Sequence, residues 1–158
     1  EGTPRKETRV IEIRKMKPAD CEAVYRIAKQ TLPEHWSLEE ICRVLQYDYN
    51  IYNVAYRAED SCIVGFAGIM VINEDAELLN IAVSEEFQKN GIGLLLLQSV
   101  IVEARRHLAE RMLLEVRESN EKARRLYCQN GFCELGIRKN YYTQPNENAI
   151  IMSCPLQL

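Results

Sequence analysis

Between Ala76 and Val116 the sequence reads AELLNIAV, then SEEFQKNGIG, then a mostly apolar stretch from Leu94 to Leu108, then MLLEV. The outer runs have the composition of strands, and Leu94, Leu97, Ile101, Ala104 and Leu108 recur at helical spacing, which predicts a helix from about Gly91 to Leu108. A strand, a helix and a strand in direct succession form a crossover, so the two strands should lie parallel and the connection should be right-handed. The turn that starts the helix is Gly91-Ile92-Gly93. Glycine lets backbone approach a ligand closely, and a helix starting there presents unpaired N–H groups and a positive dipole end. The ligand such a site takes by default is an anion, usually a phosphate.

The rest of the chain surrounds this crossover with antiparallel signals. Val10 to Met16 alternates as a strand, and Pro18 opens a helical stretch through Lys29 with Val24, Ile27 and Ala28 on one side. Pro33 breaks it, and Ser37-Leu-Glu-Glu40 is a capping box that starts a second helix carrying Ile41, Val44 and Leu45. Ile51 to Arg57 and Cys62 to Ile72 suggest a hairpin, with Ala76 to Val83 as a third strand after Asn73-Glu74-Asp75. After the strand at Met112 to Val116, Asn120 caps a helix that stops at Asn130-Gly131. Phe132 to Ile137 and Ala149 to Cys154 read as closing strands joined by a long polar loop, RKNYYTQPNEN. The order is α+β, with about seven strands in a mixed sheet and about four helices.

Composition narrows the partners. The 158 residues suit one domain, residues 9–158, after a polar extension at residues 1–8. A net charge of −3 gives no general attraction for nucleic acid or an anionic membrane. No apolar run reaches the roughly 18 residues that cross a bilayer, and EGTPRKETR lacks the apolar stretch of a signal peptide. Six cysteines without a C-x-x-C pair or clustered histidines argue against zinc and a disulfide framework, and fit free thiols in a reducing cytoplasm.

The glycine turn fails the two common nucleotide patterns, since Leu96 stands where the dinucleotide fingerprint needs its third glycine and Leu94 follows Gly93 where the Walker motif needs lysine. What survives is Gln88-Lys89-Asn90-Gly91-Ile92-Gly93 directly after a strand, a run of N–H donors able to grip a pyrophosphate. That motif after LLNIAVSEEF resembles the acetyl-CoA pyrophosphate site of the GNAT N-acetyltransferase superfamily. LLEVRESNEKARRLYCQNGF, IRKNYY and NAIIM resemble, in order, the ribosomal-protein-alanine N-acetyltransferases (RimI type), over roughly residues 9 to 154. Asn90 and Leu94 depart from the small or basic residues frequent there. The resemblance implies a GNAT fold and acetyl-CoA as co-substrate without a metal. It also implies acetyl transfer to the N-terminal amine, alanine in the family, of a small-subunit ribosomal protein in the cytoplasm. Another N-terminus, a lysine or a small amine stays open as acceptor, as does a non-catalytic acetyl-CoA-binding module.

Making an amide from a thioester needs a neutral amine, a polarised carbonyl and a proton for the departing thiolate. Glu115 in LLEVR could belong to a mixed strand face with Arg111, Leu113 and Arg117; by the resemblance it is the general base, and burial among leucines would raise its pKa. Tyr127 could be a core aromatic; by the resemblance it is the acid that protonates CoA, and it touches CoA as well. Asn120 suffices as a helix cap and, by the resemblance, contacts CoA. The cofactor set that follows is Ile81, Ala82 and Val83, whose strand should be bulged or splayed to free amides for pantetheine and the thioester oxygen, with Gln88, Lys89, Asn90, Gly91, Ile92, Gly93 and Leu94 on the pyrophosphate. Cys128 reads as a buried structural thiol, because no base is placed to activate it. Trp36 and the pair Tyr141-Tyr142 sit in polar loops that suit either local packing or acceptor binding, and Glu34, Glu39 or Glu40 could attract a basic peptide.

Overall fold

A computed structural model describes residues 10–156, so the N-terminal extension lies outside the described residues. The strands are β1 (Ile11–Lys15), β2 (Asn50–Arg57), β3 (Cys62–Ile72), β4 (Asp75–Val83), β5 (Arg111–Arg117), β6 (Cys133–Thr143) and β7 (Asn146–Pro155). The helices are α1 (Cys21–Thr31), α2 (Leu38–Val44), α3 (Ile92–Arg106) and α4 (Glu121–Gln129). All seven strands join one sheet in the order β1-β2-β3-β4-β5-β7-β6. Strands β4 and β5 are parallel, as the crossover requires, while β1 with β2, β5 with β7 and β6 with β7 are antiparallel. The fold is the mixed α+β sheet flanked by four helices that the resemblance implied.

The chain divides into two compact units, residues 10–69 with Asn80–Val100 and Met70–Leu79 with residues 101–156. In the first, Val54, Ala55, Val64, Ala67, Ile69, Leu96, Leu97 and Val100 are sealed from solvent, as is Phe66. In the second, Met112 and Met152 are fully covered, with Leu114, Phe132 and Ile150 nearly so. Truncating Phe66 or Phe132 to alanine would cost about 3–5 kcal/mol. The capping box on α2 forms in both directions, Ser37 Oγ accepting from Glu40 N at 3.1 Å and Glu40 Oε1 from Ser37 N at 3.1 Å.

Three local expectations are corrected. Pro18–Asp20 forms a short 3-10 turn, so the regular helix begins at Cys21. Helix α3 ends at Arg106, and Leu108, read as part of its apolar stripe, has φ of 64° and is 82% exposed. The largest change concerns RKNYYTQPNEN, which is mostly strand: β6 runs to Thr143 and β7 resumes at Asn146, leaving Gln144-Pro145 as the tip. Strand β6 ends the sheet order and every residue but Tyr142 is exposed. With almost nothing to bury it has no apolar alternation to read, and its pairing with β7 shifts register between Glu134 and Gly136 and between Arg138 and Tyr142.

Candidate active site

In the first unit the geometry is made by backbone. The β4–β5 ladder ends at Glu77 opposite Leu113, although β4 continues to Val83 and β5 to Arg117. Ala82 is buried, and Ile81 and Val83 are half-buried. A 3-10 turn at Glu85–Phe87 then leads into a loop in which Lys89 and Gly91 have φ of 68° and 77°. Left-handed residues among ordinary ones turn N–H groups toward a common concavity. The polar side chains of the loop build it: Gln88 Nε2 donates to the Val83 carbonyl at 2.9 Å, and Asn90 Nδ2 donates to the carbonyls of Phe87 at 3.1 Å and Gln88 at 3.3 Å. These bonds hold Lys89 in a conformation that costs a non-glycine residue about 1–2 kcal/mol. Ile92, Gly93 and Leu94 form the first turn of α3, whose N–H groups have no acceptor within the helix. The Ile92 side chain is buried, so its contribution to a ligand is its amide. A Cβ on Gly91 would meet nothing within 4 Å, so there is room in front of the turn for an anionic group.

The second unit gathers side chains. Along β5, Met112, Leu114 and Val116 point into the core, while Leu113, Glu115 and Arg117 line the half-buried face. Glu115 is therefore not enclosed by leucines. Its Oε1 lies 3.2 Å from Arg138 Nε, and hydrogen bonding to Glu115, followed by its charge, raises the Tyr141 hydroxyl above its usual range. Facing it from β4 is Glu77, paired with Leu113 two residues before Glu115. Desolvation first, and then the negative charge of Glu115, raise the Glu77 carboxyl above the usual range, with Arg138 opposing. Tyr142 is raised by desolvation and then by the charge of Glu115. Tyr127 is buried against Phe132, ring centroids 5.7 Å apart, and burial followed by Tyr142 pushes its hydroxyl up to about 12. Glu77, Glu115, Tyr141, Tyr142 and Tyr127 are thus one electrostatically connected series, with carboxylates at one end and the buried Tyr127 hydroxyl at the other.

The remaining candidates divide. Asn120 caps α4, its Oδ1 accepting from Ala123 N at 3.2 Å. Trp36 is half-buried beside Tyr52, at 6.5 Å between ring centroids, so it packs locally while keeping one side open. Tyr141 and Tyr142 lie on β6, not in a loop, and only Tyr141 is exposed. Glu40 is spent on its cap and Glu39 pairs with Arg43 at 3.2 Å. Cys128, expected to be buried, is exposed, because it projects from α4 one residue past the inward-facing Tyr127. His35 and His107 bond to the carbonyls of Leu32 and Glu103. All six cysteines are free thiols. Among the described residues no three His, Cys, Asp or Glu side chains gather as for a metal ion, and no helix is long and apolar enough to cross a membrane. Glu77 and Arg138 were not anticipated, and Arg117 was read only as part of the mixed β5 face. The parallel crossover could have suggested Glu77 opposite β5, and Arg138 lies within IRKNYY, hidden by the reading of that segment as loop.

Known proteins resemble this chain in sequence and fold. Residues 21–132 match the family described as "Acetyltransferase (GNAT) family". The [ribosomal protein bS18]-alanine N-acetyltransferase of Haemophilus influenzae is 36% identical over 147 residues, 91% of this chain and 98% of that protein. The crystal structure of the ribosomal-protein-S18-alanine N-acetyltransferase from Escherichia coli superposes with a TM-score of 0.85 at 32% identity, covering 94% of this chain and 96% of the other. A GNAT family acetyltransferase from Elizabethkingia anophelis, solved with acetyl-CoA bound, reaches 0.76 at 25% identity, covering 92% and 97%.

Proposed function

Because the chain belongs to the acetyltransferase (GNAT) family and is an acetyl-CoA-dependent N-acetyltransferase, we propose that its acceptor is the N-terminal α-amine of a protein, alanine of a ribosomal protein. The observation that carries the reading is the series around Glu115, a carboxylate paired with Arg138 and within electrostatic reach of the Tyr141 and Tyr142 hydroxyls. In the proposed roles, the amides of Gly91, Ile92, Gly93 and Leu94 take the pyrophosphate, with Lys89 beside it. Those of Ile81, Ala82 and Val83 take pantetheine and the thioester oxygen. Asn120 stands beside CoA. The amine nitrogen attacks the carbonyl carbon, its proton passes to Glu115 directly or through water, the C–S bond breaks, and the thiolate receives a proton from Tyr127. A hydroxyl held near 12 is protonated when the C–S bond breaks, and it stabilises the thiolate first as a hydrogen-bond donor before the proton passes across. In this reading the transfer is direct and no acetyl-enzyme forms, Cys128 being an exposed free thiol with no histidine near it in the chain.

The acceptor follows from proton affinity. A peptide α-ammonium titrates near 7.7–8.0 and a lysine near 10.4, so freeing the former is easier by about 3.4 kcal/mol. One carboxylate serves that smaller task. Trp36, Tyr141 and Tyr142 contact the acceptor peptide in this reading, and a ribosomal substrate places the enzyme in the cytoplasm. The test is a peptide with a free N-terminal alanine and one internal lysine, incubated with acetyl-CoA beside its N-terminally blocked twin and read by mass. The expected product carries acetyl on the N-terminus, with little reaction of the twin. Acetyl chiefly on lysine returns the acceptor to the small-amine class, and binding without turnover returns the protein to a sensor.

A further inference from the structure

The most heavily bonded side chain near Glu115 is one the chemistry does not use. Arg117 ends β5 two residues beyond Glu115 and on the same face, with its side chain only 12% exposed. Its Nη1 donates to the Pro145 carbonyl at 3.1 Å and to Glu147 Oε1 at 3.2 Å, and its Nη2 donates to the Gln144 carbonyl at 3.3 Å. The guanidinium carbon sits 4.3 Å from the centroid of the Tyr142 ring. Glu147 in turn accepts from the backbone N–H of Ser119, just ahead of the Asn120 cap. A hydrogen bond with the Ser119 side chain first, then the backbone bond and Arg117, keep the Glu147 carboxyl below its usual range against desolvation.

One guanidinium therefore fastens three things: the tip of the β6–β7 hairpin, the ring of Tyr142, and through Glu147 the start of the helix that carries Tyr127. The tip residues Gln144 and Pro145 are exposed and belong to a hairpin at the end of the sheet order, so little else restrains them. Tyr142 is the member of the series that feels Glu115 on one side and acts on Tyr127 on the other. We propose that Arg117 is a positioning residue for the acceptor, holding Tyr142 and the hairpin tip in the arrangement in which the peptide N-terminus meets Glu115. This rests on the N-terminal acetyltransferase reading above. A lysine cannot replace it, because a point charge offers neither the planar face nor the forked donors that reach two carbonyls and a carboxylate together.

The experiment is steady-state kinetics of the full chain with acetyl-CoA and the free-N-terminal alanine peptide, for wild type, Arg117→Ala and Arg117→Lys, with acetyl-CoA affinity and circular dichroism as checks on folding. Arg117→Ala should raise the acceptor KM by about tenfold or more, with the acetyl-CoA KM within about twofold of wild type and kcat falling less than KM rises. Arg117→Lys should keep the fold and recover only a minor part of that loss; should the alanine variant fail to fold, the lysine variant carries the test with a rise of about threefold or more. Folded variants with an unchanged acceptor KM, equal changes for both substrates, or full rescue by lysine overturn the inference alone. Wild type inactive on every N-terminal peptide overturns the functional reading and takes the inference with it.

Discussion

The glycine loop and the β5 face present different chemistry with different parts of the chain. Around Gly91 the polar side chains turn inward, Gln88 to Val83 and Asn90 to Phe87, so the outward-facing chemistry is a row of amides set by two left-handed residues. Around Glu115 the backbone is committed to sheet pairing with β7, and side chains from β4, β5, β6 and α4 supply the chemistry. The first arrangement suits a ligand fixed by charge and shape, a pyrophosphate. The second suits groups whose protons must move. Substitutions in the first region should therefore act on cofactor affinity, and those in the second on the acceptor and its turnover while leaving cofactor affinity near wild type.

The sharpest way to break this division is Glu115→Gln, which removes the proton acceptor and keeps the shape; kcat should fall by about 10²- to 10⁴-fold. A turnover near wild type would remove Glu115 from the role of base. Next in size is Gly91→Val. No protein atom stands within 4 Å of the new Cβ, so the damage comes from φ of 77° in a β-branched residue and from the space taken from the ligand. The acetyl-CoA KM should rise by about tenfold or more while circular dichroism stays native; an unchanged KM in the folded variant would make the turn merely structural. The smallest effect is an absence in the pH profile. In its proposed role Tyr127 acts while protonated, and its pKa is raised, so ionisation removes it only near pH 12. The rate should climb as the acceptor amine deprotonates near 7.7–8.0 and then hold flat to about pH 10. A descending limb at pH 9 that Tyr127→Phe abolishes would show a hydroxyl far more acidic than its burial allows.

The two regions also differ in how openly the sequence declares them. A backbone site needs particular residues at fixed spacing, so Gln88 to Gly93 and the capped helices could be read from the chain directly. The β5 face could be read only in part. Alternation placed Glu115 on a mixed face with Leu113 and Arg117, which is where it lies, but its surroundings come from residues 38 positions back and more than 20 ahead. Glu77 meets it only because the crossover is parallel and pairs Glu77 with Leu113. Arg138 and Tyr141 meet it because a polar stretch without apolar alternation forms a terminal strand, held by pairing to β7 and by the Arg117 bonds at its tip. Cys128 shows the same limit on a helix: its neighbour Tyr127 faces inward, and one step of about 100° turns the thiol to solvent.

The division of labour is tested most directly by calorimetric titration of acetyl-CoA into Glu115→Gln and Gly91→Val beside wild type. The account predicts that Glu115→Gln, though nearly inert in turnover, binds acetyl-CoA within about twofold of wild type, whereas Gly91→Val binds at least about tenfold more weakly. Glu115→Gln weakened as much as Gly91→Val, or Gly91→Val binding as wild type does, would contradict it.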